Sequence, residues 1–187
     1  TLANHFLIAM PGLQDPNFSR TVTYVCEHTE QGAMGIVINR PMEIRLGEVL
    51  DQLEIPTEDQ DVSDALVYLG GPVQPDRGFV LHTNGDRYDS TLSITPEISV
   101  TTSRDVLEAI AGGRGPKDML IALGYAGWGE GQLEDEMSAN AWLSGPADEN
   151  IIFRLPAGAR WQPPAHLLGV DMNLLSAQAG HARMAPL

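Results

Sequence analysis

The sequence is poor in three things, and each scarcity removes a class of function. It holds one cysteine, Cys26, in 187 residues. No intramolecular disulfide and no multi-cysteine zinc site can form from that, and a reducing, cytoplasmic setting is expected. Positive charge is scarce as well: 11 Lys and Arg stand against 25 Asp and Glu, a formal net charge of −14. Nucleic-acid binding draws most of its affinity from Lys and Arg neutralising phosphates, and no basic cluster interrupts the acidic residues. Direct DNA contact and an anionic membrane surface are both disfavoured, while the charge favours solubility. Long apolar runs are missing too. No stretch approaches the ~20 residues that a membrane span requires, and Phe6 to Met10 is too short and too poor in basic flanks for a secretory signal.

What is present is 43% hydrophobic residues, enough for one globular domain across residues 1–187 that buries roughly 70% of its extended-chain surface. No repeat, low-complexity tract or linker divides it. Strand patterns cover His5 to Met10, Thr21 to His28 and Ala33 to Asn39, the last stopped by Asn39-Arg40-Pro41. Leu46, Val49, Leu50 and Leu53 share one helical face. Residues 54–64 are acidic and polar and read as a surface loop. Further strands are expected at Leu66 to Leu69, Phe79 to Thr83, Thr91 to Ile94 and Ile98 to Thr102. Ser103 is placed to cap a helix that ends at Gly112-Gly113. Met119 to Tyr125 is a strand, Ile151 to Leu155 a last one, and His166 to Ala177 a terminal helix. Strands and helices do not alternate regularly, which disfavours a doubly wound sheet and points to α+β.

The most informative segment is Gly124-Tyr125-Ala126-Gly127-Trp128-Gly129-Glu130-Gly131, which reads as the end of a strand, a glycine-rich turn and the start of a helix carrying Leu133, Met137 and Ala141, with Trp142 nearby. Glycines in such a turn either let the backbone approach a ligand or let the strand turn tightly. A dinucleotide fingerprint counted from Gly127 and Gly129 would need glycine where Gln132 stands. A phosphate loop would end in Gly-Lys-Ser/Thr, whereas here Glu134, Asp135 and Glu136 follow. Those carboxylates complement the positive end of a helix dipole and would repel a phosphate. Tyr125 and Trp128 are candidates for a pocket wall or for core plugs.

Several motifs taken together are distinctive: His5-Phe6-Leu7-Ile8-Ala9-Met10-Pro11, Asp15-Pro16-Asn17-Phe18, Val25-Cys26-Glu27-His28, Gly35-Ile36-Val37-Ile38-Asn39-Arg40-Pro41, Gly70-Gly71-Pro72-Val73 and Gly124-Tyr125-Ala126-Gly127-Trp128. This set resembles the AlgH/YqgE family of bacterial proteins from about Asn4 to about Gly169. The resemblance implies an α+β domain with a bifurcated, partly barrel-like sheet and flanking helices, and a cytoplasmic bacterial location. Some family members are described as transcriptional regulators of alginate production, which names a phenotype. The family supplies no catalytic or cofactor residues to carry over.

Three groups of residues remain as candidate sites. Strand alternation puts Cys26 and His28 on one face and Glu27 on the other. The two residues of rise are about 6.6 Å, so leaning side chains could pair thiol and imidazole and stabilise the reactive thiolate. Equally, Cys26 fits a small core position beside Val22 and Tyr24. A metal held by Cys26, Glu27 and His28, with His82, matches no recognised zinc spacing, and neither metal nor cofactor is expected. The weak ligand-binding candidates are Gly70, Gly71, Tyr125, Gly127, Trp128 and Gly129, with a groove shaped by Arg77 and His82 nearby. Glu130, Glu134 and Glu136 could serve as acid/base groups or ion ligands, or simply as dipole partners of the helix. Neither Ser19 nor Ser103 lies in a nucleophile elbow. The reading that follows is a non-enzymatic regulatory or binding module with a protein or small-molecule partner. The alternatives are a cysteine-dependent enzyme or redox sensor on Cys26 and His28, and a DNA-contacting regulator that the charge disfavours.

Overall fold

Alternating apolar residues build ten strands, joined by five short helices, within residues 1–10, 18, 20–156 and 160, which the computed structural model describes. In chain order these are β1 (His5–Ala9), β2 (Val22–Thr29), β3 (Gly32–Val37), β4 (Pro41–Arg45), α1 (Leu46–Gln52), α2 (Gln60–Ser63), β5 (Leu66–Leu69) and β6 (Val73–Thr83). Then come β7 (Thr91–Ser93), β8 (Ile98–Thr101), α3 (Arg104–Ala111), β9 (Met119–Trp128), α4 (Gln132–Ser138), β10 (Trp142–Pro146) and α5 (Glu149–Phe153). The strands lie in the order β10-β1-β2-β3-β9-β6-β8-β7, with β5 also on β9 and β4 on β5. Only β5 runs parallel to its neighbour β9. The result is an α+β fold around a curled, half-barrel sheet.

The sheet forks at Gly124. One edge of β9 pairs with β6 from Met119 to Tyr125. The other edge is shared: β5 takes Ile121 to Leu123, and β3 takes Ala126 to Trp128. Gly70 holds the crotch of the fork, accepting from the Val37 N–H at 2.8 Å and donating its own N–H to the Leu123 carbonyl at 2.8 Å. A side chain there, or at its neighbours, has no room. A Cβ on Gly71 would lie 2.1 Å from the Tyr125 carbonyl carbon, and one on Gly124 would lie 2.4 Å from the Gly71 carbonyl oxygen. Gly124 also sits at φ +78°, which side-chain-bearing residues rarely adopt.

Three apolar clusters follow from this layout. Phe6, Ile8, Tyr24, Ile36, Leu81 and Leu120 fill the inside of the curl, with Ile151 and Ile152 of α5 added to them. Leu7, Val25, Val37, Trp128 and Trp142 pack on the other face beneath Leu133 of α4. Leu46, Leu50, Val67, Val80, Val106 and Ile110 join α1 and α3 to the β5–β9–β6 wing. Each fully buried aliphatic side chain contributes about 1.5–3 kcal/mol relative to exposure.

The architecture departs from the sequence pattern at four places. Ile151 to Leu155, expected as a strand, is the helix α5: the Asp148 carboxylate accepts from the Asn150 N–H at 2.8 Å, and both Ile151 and Ile152 are buried, which one strand face would not allow. Within the expected 54–64 loop, Asp59 caps the four-residue α2. Pro41 stops β3 but opens β4, where Met42 and Ile44 alternate with exposed residues. Trp142–Pro146 forms the edge strand β10 against β1, where proline is tolerated. The expected helix at His166 to Ala177 lies outside the described residues.

Candidate functional site

The end of β2 breaks the alternation on which the Cys26–His28 pair depends. The register with β3 slips between Val25 and Glu27, which makes Cys26 the extra residue of a β-bulge. Its thiol packs with Val22 and Tyr24 inside the curl, 4% exposed, and contacts the Tyr24 carbonyl at 3.8 Å. Burial pushes the thiol well above its ordinary range, and the charge of Glu27 adds to the shift. His28 is turned elsewhere. Its Nδ1 accepts from the Leu2 N–H at 2.9 Å, so the neutral ring carries its proton on Nε2 and donates toward Glu134 of α4 at 3.3 Å. The expected shared face is lost to the bulge. His82 is a third separate case: 1% exposed in β6, it lies between the Thr83 carbonyl (3.0 Å from Nδ1) and the Thr101 hydroxyl (2.7 Å from Nε2). Among the described residues no three His, Cys, Asp or Glu side chains converge as metal ligands.

The glycine-rich segment is strand for longer than its composition suggests. β9 runs on to Trp128, so Tyr125 and Gly127 face one side while Ala126 and Trp128 face the other. Tyr125 meets Phe79 edge-on at 5.4 Å. Trp128 instead joins Phe18 and Trp142 beneath α4, with ring centroids 6.4 and 6.0 Å away. Their side chains lie on opposite faces of β9, and both residues border a cleft at the start of β6. The space beside Gly70, Gly71 and Gly124 is filled by neighbouring backbone. Gly129 and Gly131 make the true turn: the Gly129 N–H donates to the Gln132 side chain at 3.0 Å, and Gly131 starts α4 at φ +74°.

Glu136 is the residue whose role the sequence conceals. It is 3% exposed, and one of its oxygens accepts from both the Trp128 and Trp142 indole N–H groups, at 2.9 and 3.0 Å. Its second oxygen accepts from the Gln132 amide at 2.9 Å. Glu130 and Glu134 stay exposed. The signal was there: Leu133, Glu136 and Met137 share one helical face, so a helix that buries Leu133 turns Glu136 inward. At α3, Ser103 does not cap the helix amides, and its hydroxyl instead donates to Asp105 at 2.5 Å.

Two of the clefts on this frame flank β6. The first, about 600 Å³, has β6 and β9 as its floor and β4–α1 and α3 as its walls. Met42, Ile44, Val49, Leu53, Val106 and Leu107 make it apolar, while Gln52, Asp76, Thr102 and Arg104 add polar groups. The second, about 610 Å³, lies where β6 begins beside the β2–β3 hairpin, over Tyr125, Gly127 and Phe79. Glu27 and Arg77 both line it. Arg77 donates to Gln74 and Thr102 at 3.3 and 3.2 Å and rests 5.6 Å from the Phe79 ring. His82 lines neither cleft.

A forked, half-barrel α+β sheet with a cleft on each side of β6 defines the structural class. Comparisons with known proteins agree with it: a family model described as AlgH-like matches residues 6–173, and this chain belongs to that family. A UPF0301 protein of Thioalkalivibrio sulfidiphilus is 58% identical over 179 residues, covering 96% of each chain. One of Saccharophagus degradans is 56% identical over 97% of this chain and 89% of its own. The solution structure of the AlgH protein from Pseudomonas aeruginosa superposes with a TM-score of 0.81 at 56% identity, over 97% of this chain and 96% of that one. A crystal structure from Corynebacterium diphtheriae, 19% identical, shares the fold with a TM-score of 0.73 over 94% of this chain and 92% of that one.

Proposed function

We propose that this chain is a cytoplasmic, non-enzymatic regulatory or binding module that takes an apolar small molecule in the cleft between α1 and α3. One observation carries the proposal: a cleft of about 600 Å³ lined by aliphatic side chains of β4, α1, β6, α3 and β9, with a few polar side chains among them. Ligand sites have that size and that makeup. The site lies away from the glycine-rich segment on which the sequence reading centred. Thiol chemistry at Cys26 is opposed by its burial and its raised pKa, and direct DNA contact by the net charge of −14.

Thermal-shift screening of an apolar small-molecule library, followed by native mass spectrometry, tests the proposal. Val49→Trp places an indole in the cleft from a half-buried position. Compounds that raise the Tm of the wild type and fail on Val49→Trp are expected. A library without a stabilising compound, or compounds that act equally on both proteins, would overturn it.

A further inference from the structure

Gly78 of β6 is a glycine without the reasons that hold the other strand glycines. A Cβ on Gly32, Gly35 or Gly124 would lie 2.3, 2.7 or 2.4 Å from a neighbouring atom, and one on Gly127 would lie 3.3 Å away. At Gly78 nothing lies within 4 Å of the Cβ position, and its φ is not positive. The irregular part of β6 lies between Val73 and Gly78, and from Gly78 to His82 the pairing with β9 is regular. A glycine costs a strand stability, and outside bulges and bends it marks a place where a ligand or another backbone comes close.

The bare position opens into the cleft between α1 and α3. Phe79 and Leu81 point into the curl, so alternation puts Gly78 with Val80 on the opposite face. Their partners on β9, Leu123 and Ile121, share that face, and all four residues line the cleft. The floor at Gly78 is therefore backbone alone. Among the described residues that line this cleft, none is aromatic. Flat rings gain from stacking on aromatic side chains, whereas an alkyl chain needs only close packing on aliphatic surface. Gln52, Asp76 and Arg104 are exposed lining residues and mark the polar mouth.

We propose that the ligand of this cleft carries an alkyl chain that lies across Gly78, with its polar end among Gln52, Asp76 and Arg104. The inference rests on the reading of the cleft as a ligand site, and adds the ligand's class and the residue that admits it. Gly78 then sets specificity: the chain packs directly on the β6 backbone where any side chain would stand in its path. Glycine at this position trades strand stability for that space. A β-branched residue suits a strand, and Gly78→Val is expected to keep or raise the Tm of the unliganded protein.

Calorimetric titration of the full chain with straight-chain hexanol, octanol and decanol tests this, with naphthol as a ring of the same carbon count as decanol. Binding at one site per chain is expected, tightening about fourfold for each added methylene, with naphthol weaker than decanol. Gly78→Ala should weaken decanol about fourfold, the worth of one methylene. Gly78→Val should weaken it about tenfold or more, because its methyl groups take the path of the chain. Near-UV circular dichroism checks the fold of both variants, and the alanine variant carries the test if the valine one is perturbed. Decanol that binds both variants as tightly as the wild type, or naphthol that binds more tightly than decanol, would overturn the proposal. Alcohols that fail to bind, while compounds of other classes still lose affinity on Val49→Trp, would overturn this inference alone and leave the cleft a ligand site. If no compound of any class binds, the reading of the cleft falls and this inference falls with it.

Discussion

Glu136 ties together three side chains that would otherwise each bury an unsatisfied polar group. Glu136→Ala strands two indole N–H donors under α4, at about 1–3 kcal/mol each, so a loss of about 3 kcal/mol in urea unfolding is expected. Glu136→Gln keeps an acceptor oxygen for the indoles but sets an amide donor against the Gln132 amide, and a loss of about 1 kcal/mol is expected. Cys26 should alkylate on the order of a hundredfold more slowly in native than in denatured protein, since a buried thiol with a raised pKa offers little thiolate. Equal rates would reopen thiol chemistry. His82 sets a pH dependence. Burial lowers its pKa from 6.5, only partly offset by its bond to the Thr83 carbonyl. Below pH 6.5 the unfolded chain therefore binds a proton that the folded chain refuses. Stability should be level above that pH and fall as the pH drops through it. His82→Gln should be less stable at neutral pH and lose that part of the slope between pH 6.5 and 5.

Among the elements, β9 decides the architecture because three strands compete for its two edges. Gly70, Gly71 and Gly124 let the competing backbones pass within van der Waals reach. Gly71→Ala forces a Cβ to 2.1 Å from the Tyr125 carbonyl carbon, and a loss of about 3 kcal/mol or more is expected by thermal or denaturant unfolding. Gly78→Ala, with nothing within 4 Å of its Cβ position, should change stability by about 0.5 kcal/mol or less. The contrast separates packing from the general effect of removing a glycine. The glycines announced a close approach in the sequence, but a ligand and a neighbouring strand require the same absence of Cβ. Only β3 and β5 arriving at the same edge shows which of the two fills the space. Similarly, Ile151 and Ile152 are β-branched and suggest a strand, yet Asp148 and Glu149 ahead of them supply a helix start, and that local capping prevails.

For the whole molecule, the charge of −14 outweighs any local patch. Purified protein should give no sequence-specific gel shift with duplex DNA at about 0.15 M salt, where a binder depends on cationic contacts; a salt-sensitive specific shift would contradict this. No helix among the described residues is long and apolar enough to cross a membrane. The sequence by itself determined the charge, the family and the α+β class, because these follow from composition and from short motifs that local order preserves. It also placed most strand centres, since alternation depends only on neighbours along the chain. It left open which way the site residues point. A single bulge at Cys26 parts the thiol from His28, and an extra length of strand parts Tyr125 from Trp128. The clefts and the fork belong to the tertiary structure alone. Each arises where segments far apart in sequence meet, and no local pattern records which segments those are.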